Sequence, residues 1–214
     1  MENMKQALIE AGKNMLGRGL TVETWGNISL RDPQTGYIYL TPSGMNYSLL
    51  TEEDVVVFDA AGHHMEGGRR PTIEKDMHLG ILANRPDVNA VIHTHPVYSQ
   101  VFAVLGMPIP AIIDESAQVF GGDVPVAKYG LPGSRELADH VIQALGRENN
   151  ACLMANHGAV CLGATMEMAF KCCAVLEMTA QIYQMCLQIG TPNLIEAEQI
   201  AVMKSLAQNY FNHK

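Results

Sequence analysis

Short β-strand patterns alternate with helical patterns along the whole chain, and this alternation limits the folds open to it. Two extended stretches at 27–31 and 37–40 are separated by the Asp-Pro-Gln-Thr-Gly turn at 32–36, which is typical of a hairpin. A buried strand pattern at 88–93 then lies between helical segments. The chain therefore predicts an α/β protein with a mixed sheet flanked by helices, in one domain over residues 1–214.

Helices are predicted where apolar residues recur at helical spacing between capping residues and glycine or proline stops. The predicted helices cover residues 2–17, 74–84, 133–145, 165–189 and 196–209, with a short further helix after Pro96. Two more strands are predicted at 55–58 and 151–155.

The composition can form a core but leaves few charges for the surface. Hydrophobic residues make up 48% of the chain and charged residues 17%, so we expect other subunits to cover some apolar surface. The net charge of −8, without a basic run, argues against a nucleic-acid partner. No stretch resembles a signal peptide or a membrane span, and the odd count of five cysteines indicates reduced thiols, so we expect a cytoplasmic protein without membrane contact.

The motif His93-Thr94-His95 ends the strand pattern at 88–93. Side chains at positions i and i+2 of an extended segment point to the same face, so both imidazoles could hold one metal ion. Alternatively, one histidine ends the strand while the other faces water. The motif alone leaves both interpretations open.

His157 and Glu74 extend the candidate metal site. His157 follows a short buried strand in the turn Asn156-His157-Gly158, and adjacent strands ending at one sheet edge would bring it to the His-x-His motif. Glu74 begins a helix, where a carboxylate can simply compensate the helix dipole. Beside three imidazoles it could instead bind the metal ion and later take a proton from the substrate.

Two glycine-containing loops, at 24–29 and 41–44, place hydroxyl residues beside a glycine. Such loops can turn backbone amides toward a phosphate group without a lysine. Each loop alone is a weak signal, because Ser-Gly turns are common.

Taken in order, five motifs resemble the class II aldolase/adducin family over almost the whole chain. They are Gly-Asn-Ile-Ser, Thr-Pro-Ser-Gly, the proline-led helix with its glutamate, His-x-His-Pro and Asn-His-Gly. The resemblance implies a three-layer α/β/α domain with a mixed, largely antiparallel sheet. It also implies a homotetramer with fourfold symmetry and active sites at the subunit interfaces.

The resemblance assigns residues to two parts of the site. The metal ligands would be Glu74, His93, His95 and His157, and the substrate phosphate would lie against Gly26, Asn27, Ser43, Gly44 and Thr72. One zinc ion per subunit is expected, although imidazole and carboxylate ligands also accept Mn²⁺, Co²⁺ or Fe²⁺.

The activity implied by the resemblance is zinc-dependent retro-aldol cleavage of a ketose 1-phosphate to dihydroxyacetone phosphate and an aldehyde. The substrate would be L-fuculose 1-phosphate or a 5-deoxy- or 5-methylthio-ribulose 1-phosphate. Glu74 would handle the proton on the first carbon of dihydroxyacetone phosphate. Asp114 or Glu115 would replace the tyrosine that family members use at the aldehyde oxygen, and Tyr210 would reach a neighbouring subunit.

Other activities of the same family remain open. A ribulose-phosphate 4-epimerase would favour aspartate where Glu74 stands, whereas a methylthioribulose-1-phosphate dehydratase would share the metal set. A non-catalytic, adducin-like structural module would lose the histidines, and all three are present here.

Overall fold

A computed structural model of the protein describes residues 3–212, with side chains described through residue 207. The strands of this part are β1 (Asn27–Arg31), β2 (Ile38–Leu40), β3 (Val56–Phe58), β4 (His64–Glu66), β5 (Ala90–Thr94), β6 (Val126–Ala127), β7 (Ala151–Met154) and β8 (Gly158–Gly163). The helices are α1 (Met4–Gly17), α2 (Lys75–Asn84), α3 (Val97–Leu105), α4 (Asp114–Phe120), α5 (Arg135–Leu145), α6 (Met166–Ile189) and α7 (Ala197–Asn212).

The strands form one sheet in the order β4-β3-β2-β1-β5-β8-β7-β6. Neighbouring strands are antiparallel except β6 and β7, which are parallel. The prediction of a mixed, largely antiparallel sheet is therefore confirmed.

Apolar side chains of alternate strand positions form a separate core on each face of the sheet, as the period of two in a strand requires. One core joins the sheet to α1, α3 and α6 through residues such as Leu8, Phe102 and Leu176. The other joins it to α2 and α5 through residues such as Ile81 and Val141. This is the expected three-layer α/β/α arrangement.

Most helices begin and end where the sequence predicted, because their caps are local. Ser134 accepts a hydrogen bond from the amide of Leu137 at the start of α5, and Thr165 does the same for Met168 at the start of α6. Glu74 occupies the N-cap position of α2.

Four elements differ from the prediction. The short strands β4, which contains His64, and β6 were not predicted. The strand β8 was not predicted, and it is buried along its whole length. Asp114 and Glu115 form the first turn of α4 rather than part of a loop, since the hydroxyl of Ser116 accepts a hydrogen bond from the Ile113 amide and closes the helix start.

Among the described residues, no helix has both the length and the apolar character needed to cross a bilayer. The five cysteines are free thiols, and all but Cys186 are buried.

Gly163→Ala should lower the free energy of unfolding. Gly163 ends β8 where the chain turns into α6, and an added Cβ would lie 2.4 Å from the amide nitrogen of Ala169 and 2.5 Å from the carbonyl oxygen of Thr165. Both are backbone atoms that cannot move independently, so we expect a loss of about 1–3 kcal/mol in urea denaturation.

Gly17→Ala is the matched control. A Cβ at Gly17, the last residue of α1, meets no atom within 4 Å. The free energy of unfolding should stay the same or rise by up to about 1 kcal/mol. Equal losses in both variants would contradict the steric explanation.

Candidate active site

The end of β5 and the turn between β7 and β8 place three histidines together. Thr94 pairs with Ala159 across the β5–β8 ladder, so the turn that carries His157 lies against the end of β5. The Nε2 atoms of His93 and His95 are 2.9 Å apart. One ring nitrogen from each of the three histidines lies within 4.8 Å of the others, which is a spacing that one metal ion can bridge.

The Asn-His-Gly turn has a conformation that its sequence explains. Asn156 adopts a φ of 56°, in the left-handed region that asparagine tolerates better than most residues. A Cβ on Gly158 would come within 2.4 Å of the carbonyl oxygen of Thr94, so a glycine allows β8 to approach β5. The side-chain amide of Gln100 donates to the carbonyl oxygen of His157 at 2.7 Å and fixes the turn to α3.

Burial keeps the three imidazoles neutral. It is the largest cause that lowers the pKa of His93 to about 4 and that of His95 to about 3, and neighbouring histidines lower the latter further. The pKa of His157 is lowered for the same two reasons. Nδ1 of His93 donates to the carbonyl oxygen of Ala159 at 3.0 Å, so its Nε2 carries the lone pair that a metal ion needs.

Glu74 lies against this cluster with a buried carboxylate. Its Oε2 is 3.3 Å from Nε2 of His93, and its Oε1 is 3.5 Å from Nε2 of His157. Oε1 receives no hydrogen bond from the described residues. A buried carboxylate oxygen without a donor, beside neutral imidazoles, fits a divalent metal ion as the missing partner.

A chain of buried side chains lies behind Glu74. The side-chain amide of Asn27 donates to Oε2 of Glu74 at 2.8 Å, and Oδ1 of Asn27 is 2.5 Å from Nε2 of His78. Nδ1 of His78 is 2.7 Å from the hydroxyl of Ser29. Burial lowers the pKa of His78 to about 3, with a smaller contribution from His93.

His78 was not among the predicted site residues, but its side chain is fully buried next to the site. One signal was available: His78 follows Glu74 by four residues, so both lie on one face of the helix start.

The loops that were predicted to hold phosphate meet beside Glu74. The amide of Thr41 donates to the carbonyl oxygen of Ile28 at 3.1 Å, and the amide of Thr72 donates to the carbonyl oxygen of Thr41 at 3.2 Å. The hydroxyl of Thr72 accepts from the amide of Glu74 at 3.3 Å. The loops at 24–29, 41–44 and 71–74 therefore form one continuous wall.

Two glycines shape this wall. Gly26 adopts a φ of 72°, and a Cβ there would lie 2.6 Å from the carbonyl oxygen of His93. Gly44 also has a positive φ, of 67°, next to the half-buried Ser43. Of the five residues predicted to bind phosphate, Asn27 and Thr72 contact Glu74 directly, and Ser43 joins the same loops through its amide bond to Arg70.

Two of the predicted proton donors, Asp114 and Glu115, lie in the first turn of α4. Asp114 and Glu115 are exposed, and among the described residues no hydrogen bond joins either of them to the three histidines. Asp114 lines a cavity of about 570 Å³ with Glu198 and Val202 of α7. Tyr210 is in α7, but its side chain lies outside the described residues.

Trp25 is a neighbour of the site that the sequence did not single out. Its ring centre is 5.8 Å from that of His95, and 60% of the residue is exposed. The exposed indole therefore forms an apolar surface beside the histidine cluster.

Comparison with known proteins agrees with this geometry. The sequence model described as "Class II Aldolase and Adducin N-terminal domain" matches residues 6–184. A 5-deoxy-D-ribulose 1-phosphate aldolase of Bacillus thuringiensis is 35% identical over 210 residues, covering 98% of this chain and 96% of the relative. A 5-methylthioribulose-1-phosphate/5-deoxyribulose-1-phosphate aldolase of Rhodospirillum rubrum is 38% identical over 198 residues, covering 92% and 87%.

Among solved structures, an L-fuculose 1-phosphate aldolase superposes with a TM-score of 0.93 at 35% identity, and the match covers 97% of each chain. The relatives are aldolases over nearly their whole length, which identifies this protein as an enzyme, a carbon–carbon lyase. The chain belongs to the class II aldolase and adducin family.

Proposed function

We propose that this enzyme holds one zinc ion per subunit through Glu74, His93, His95 and His157, and cleaves a ketose 1-phosphate to dihydroxyacetone phosphate and an aldehyde. The observation that carries the proposal is the convergence of an unpartnered carboxylate oxygen with three neutral imidazoles. A bound zinc ion would polarise the carbonyl and hydroxyl oxygens of the substrate.

The substrate is a 5-deoxy- or 5-methylthio-ribulose 1-phosphate, or L-fuculose 1-phosphate. Proteins named for these substrates match the chain over nearly its full length. They all share a phosphate on the first carbon of a ketose, which is the part that the glycine-containing loops would bind.

Other residues of the chain would bind the phosphate group and transfer protons. In cleavage, the carboxylate of Glu74 would return a proton to the carbon of the dihydroxyacetone phosphate fragment from which the aldehyde departs. In the reverse direction Oε1, which receives no hydrogen bond from the described residues, would accept that proton. Gly26, Asn27, Ser43, Gly44 and Thr72 would hold the phosphate. Asp114, Glu115, or Tyr210 of a neighbouring subunit, would take the proton from the hydroxyl that becomes the aldehyde oxygen.

His95→Ala should abolish metal binding. Removing one of three imidazoles leaves too few ligands, and the purified variant should contain no stoichiometric zinc by elemental analysis. His64→Ala, which changes an exposed histidine of β4, is the control and should keep about one zinc ion per chain. Full metal content in His95→Ala would contradict the proposed ligand set.

A coupled assay for dihydroxyacetone phosphate tests the reaction. The purified enzyme is offered the 1-phosphates of fuculose, rhamnulose, ribulose, 5-deoxyribulose and methylthioribulose, with and without a chelator. We expect chelator-sensitive release from at least one of them. Binding of metal without any release would favour the dehydratase or the epimerase reaction instead.

In the same assay, Glu74→Gln should keep its fold and lose cleavage by roughly 10²–10⁴-fold, because an amide cannot transfer a proton to or from the substrate carbon. Near-normal cleavage would place the base elsewhere.

Asp114→Asn and Glu115→Gln test which residue handles the proton at the aldehyde oxygen. If either acid serves the aldehyde oxygen, its variant should lose cleavage while it still exchanges the hydrogen of dihydroxyacetone phosphate with deuterated solvent.

Surface composition supports a homotetramer with active sites at the subunit interfaces. Large apolar residues are exposed on the surface, including Trp25 at 60%, Val97 at 69% and Leu131 at 65%. Light scattering coupled to size exclusion should give four times the chain mass of 23.3 kDa. A monomer at micromolar concentration would contradict an active site shared between subunits.

A further inference from the structure

Four side chains form an unbroken buried chain that ends on the carboxylate of Glu74. Ser29 and His78 are 0% exposed, Glu74 is 4% exposed and Asn27 is 6% exposed. Asn27 and Ser29 lie two residues apart in β1, so their side chains point to the same face. The ring of His78, on α2, spans the gap between them with one nitrogen on each.

The direction of each hydrogen bond follows from chemistry at the carboxylate end. An ionised carboxylate only accepts, so Asn27 must present its NH₂ group to Oε2 of Glu74. Oδ1 of Asn27 then faces His78 and must accept a hydrogen bond from its Nε2–H group. A neutral imidazole carries one proton, so Nδ1 of His78 accepts from the hydroxyl of Ser29.

This order makes the two oxygens of Glu74 unequal. Oε2 is held by the amide of Asn27, whereas Oε1 receives no hydrogen bond from the described residues and lies 3.5 Å from Nε2 of His157. A reversed Asn27 amide would turn its oxygen toward the carboxylate and repel it. The Nε2 proton of His78 therefore favours the same orientation of Asn27 as the carboxylate does, and it holds the amide against Oε2 of Glu74.

We propose that His78 is a positioning residue, which as the Nε2-protonated tautomer and with Ser29 behind it orients Asn27 and leaves Oε1 of Glu74 free for the metal ion and for proton transfer. This inference rests on the proposed function for the role of Glu74. It adds that a histidine without contact to substrate or metal sets the geometry of the carboxylate. Partners of this kind, placed behind a ligand, orient it and raise its affinity for the metal.

Neutron diffraction from deuterated crystals of the metal-free protein tests the proton order directly. We expect deuterium on Nε2 of His78 and none on Nδ1, with the ND₂ group of Asn27 facing Glu74. Deuterium on Nδ1 alone, or an Asn27 oxygen facing Glu74, would overturn the inference, whatever reaction the enzyme catalyses.

Two substitutions separate positioning from packing. The side-chain amide of glutamine reaches the place of Nε2, so His78→Gln keeps a donor for Asn27. The shorter asparagine reaches the place of Nδ1 and loses that donor. We expect His78→Asn to weaken zinc affinity, measured by competition with a chelator, and to lower kcat, each by about 10- to 100-fold, with little change in KM. His78→Gln should recover most of both losses.

Ser29→Ala is a smaller change that tests the end of this hydrogen-bonded series of side chains that lies farthest from Glu74. It removes the donor to Nδ1, and zinc affinity and kcat should fall in the same direction as in His78→Asn but by less. His140 lies in α5 and takes no part in this series of hydrogen bonds, so His140→Asn, the same replacement as His78→Asn, serves as the control.

The outcomes distinguish this inference from the proposed function. If the wild-type enzyme releases no dihydroxyacetone phosphate, the proposed reaction fails, but zinc affinity of the variants and the neutron result still decide the role of His78. If His78→Asn and His78→Gln lose zinc affinity and kcat equally, in proportion to a common loss of thermal stability, His78 only fills space and the inference is wrong.

Discussion

The pairing of β5 with β8 is the constraint on which the site depends. Their ladder runs from Ala90 with Gly163 to Thr94 with Ala159, and it fixes where β5 ends relative to the turn before β8. On its other side β5 pairs with β1, which sets Asn27 opposite His93. Residues far apart in the chain thus meet at one place through backbone hydrogen bonds in the middle of the sheet. A slip of one residue in either ladder would turn the histidines to the opposite face.

The site contains polar side chains that are buried as deeply as the apolar core. Glu74, Asn27, His78 and His93 are all buried, and burial of an unpaired charge is costly. Each group but one is satisfied by a neighbour, and the exception, Oε1 of Glu74, points toward the histidine cluster. Binding of a cation would therefore stabilise the folded protein as well as complete the site, since the unfolded chain does not assemble the same ligands.

Much of the fold and the histidine cluster could be predicted because their signals are local. A serine or threonine cap marks α5 and α6, and the His-x-His spacing already implies one face of a strand. The strand β8 and the helix α4 escaped prediction because burial along β8 removes the polar alternation, and α4 has only seven residues. The contact of His78 with β1 was not predicted, because its spacing from Glu74 indicates only a shared helix face and the contact joins residues far apart in sequence. Tertiary pairing of this kind leaves no periodic signal.

The wall beside Glu74 is joined largely by main-chain atoms, and the hydroxyls of Thr41 and Thr72 add hydrogen bonds from the amides of Ile28 and Glu74. Thr41 bonds to Ile28 and Thr72 bonds to Thr41 through amides and carbonyls, and Ser43 bonds to Arg70 in the same way. Its shape is therefore largely independent of which side chains line it. Side chains elsewhere in the site can then be exchanged, and the sugar that is accepted can change, while this scaffold is kept. A family whose members are named for fuculose and for deoxyribulose phosphates is the outcome that such an arrangement permits.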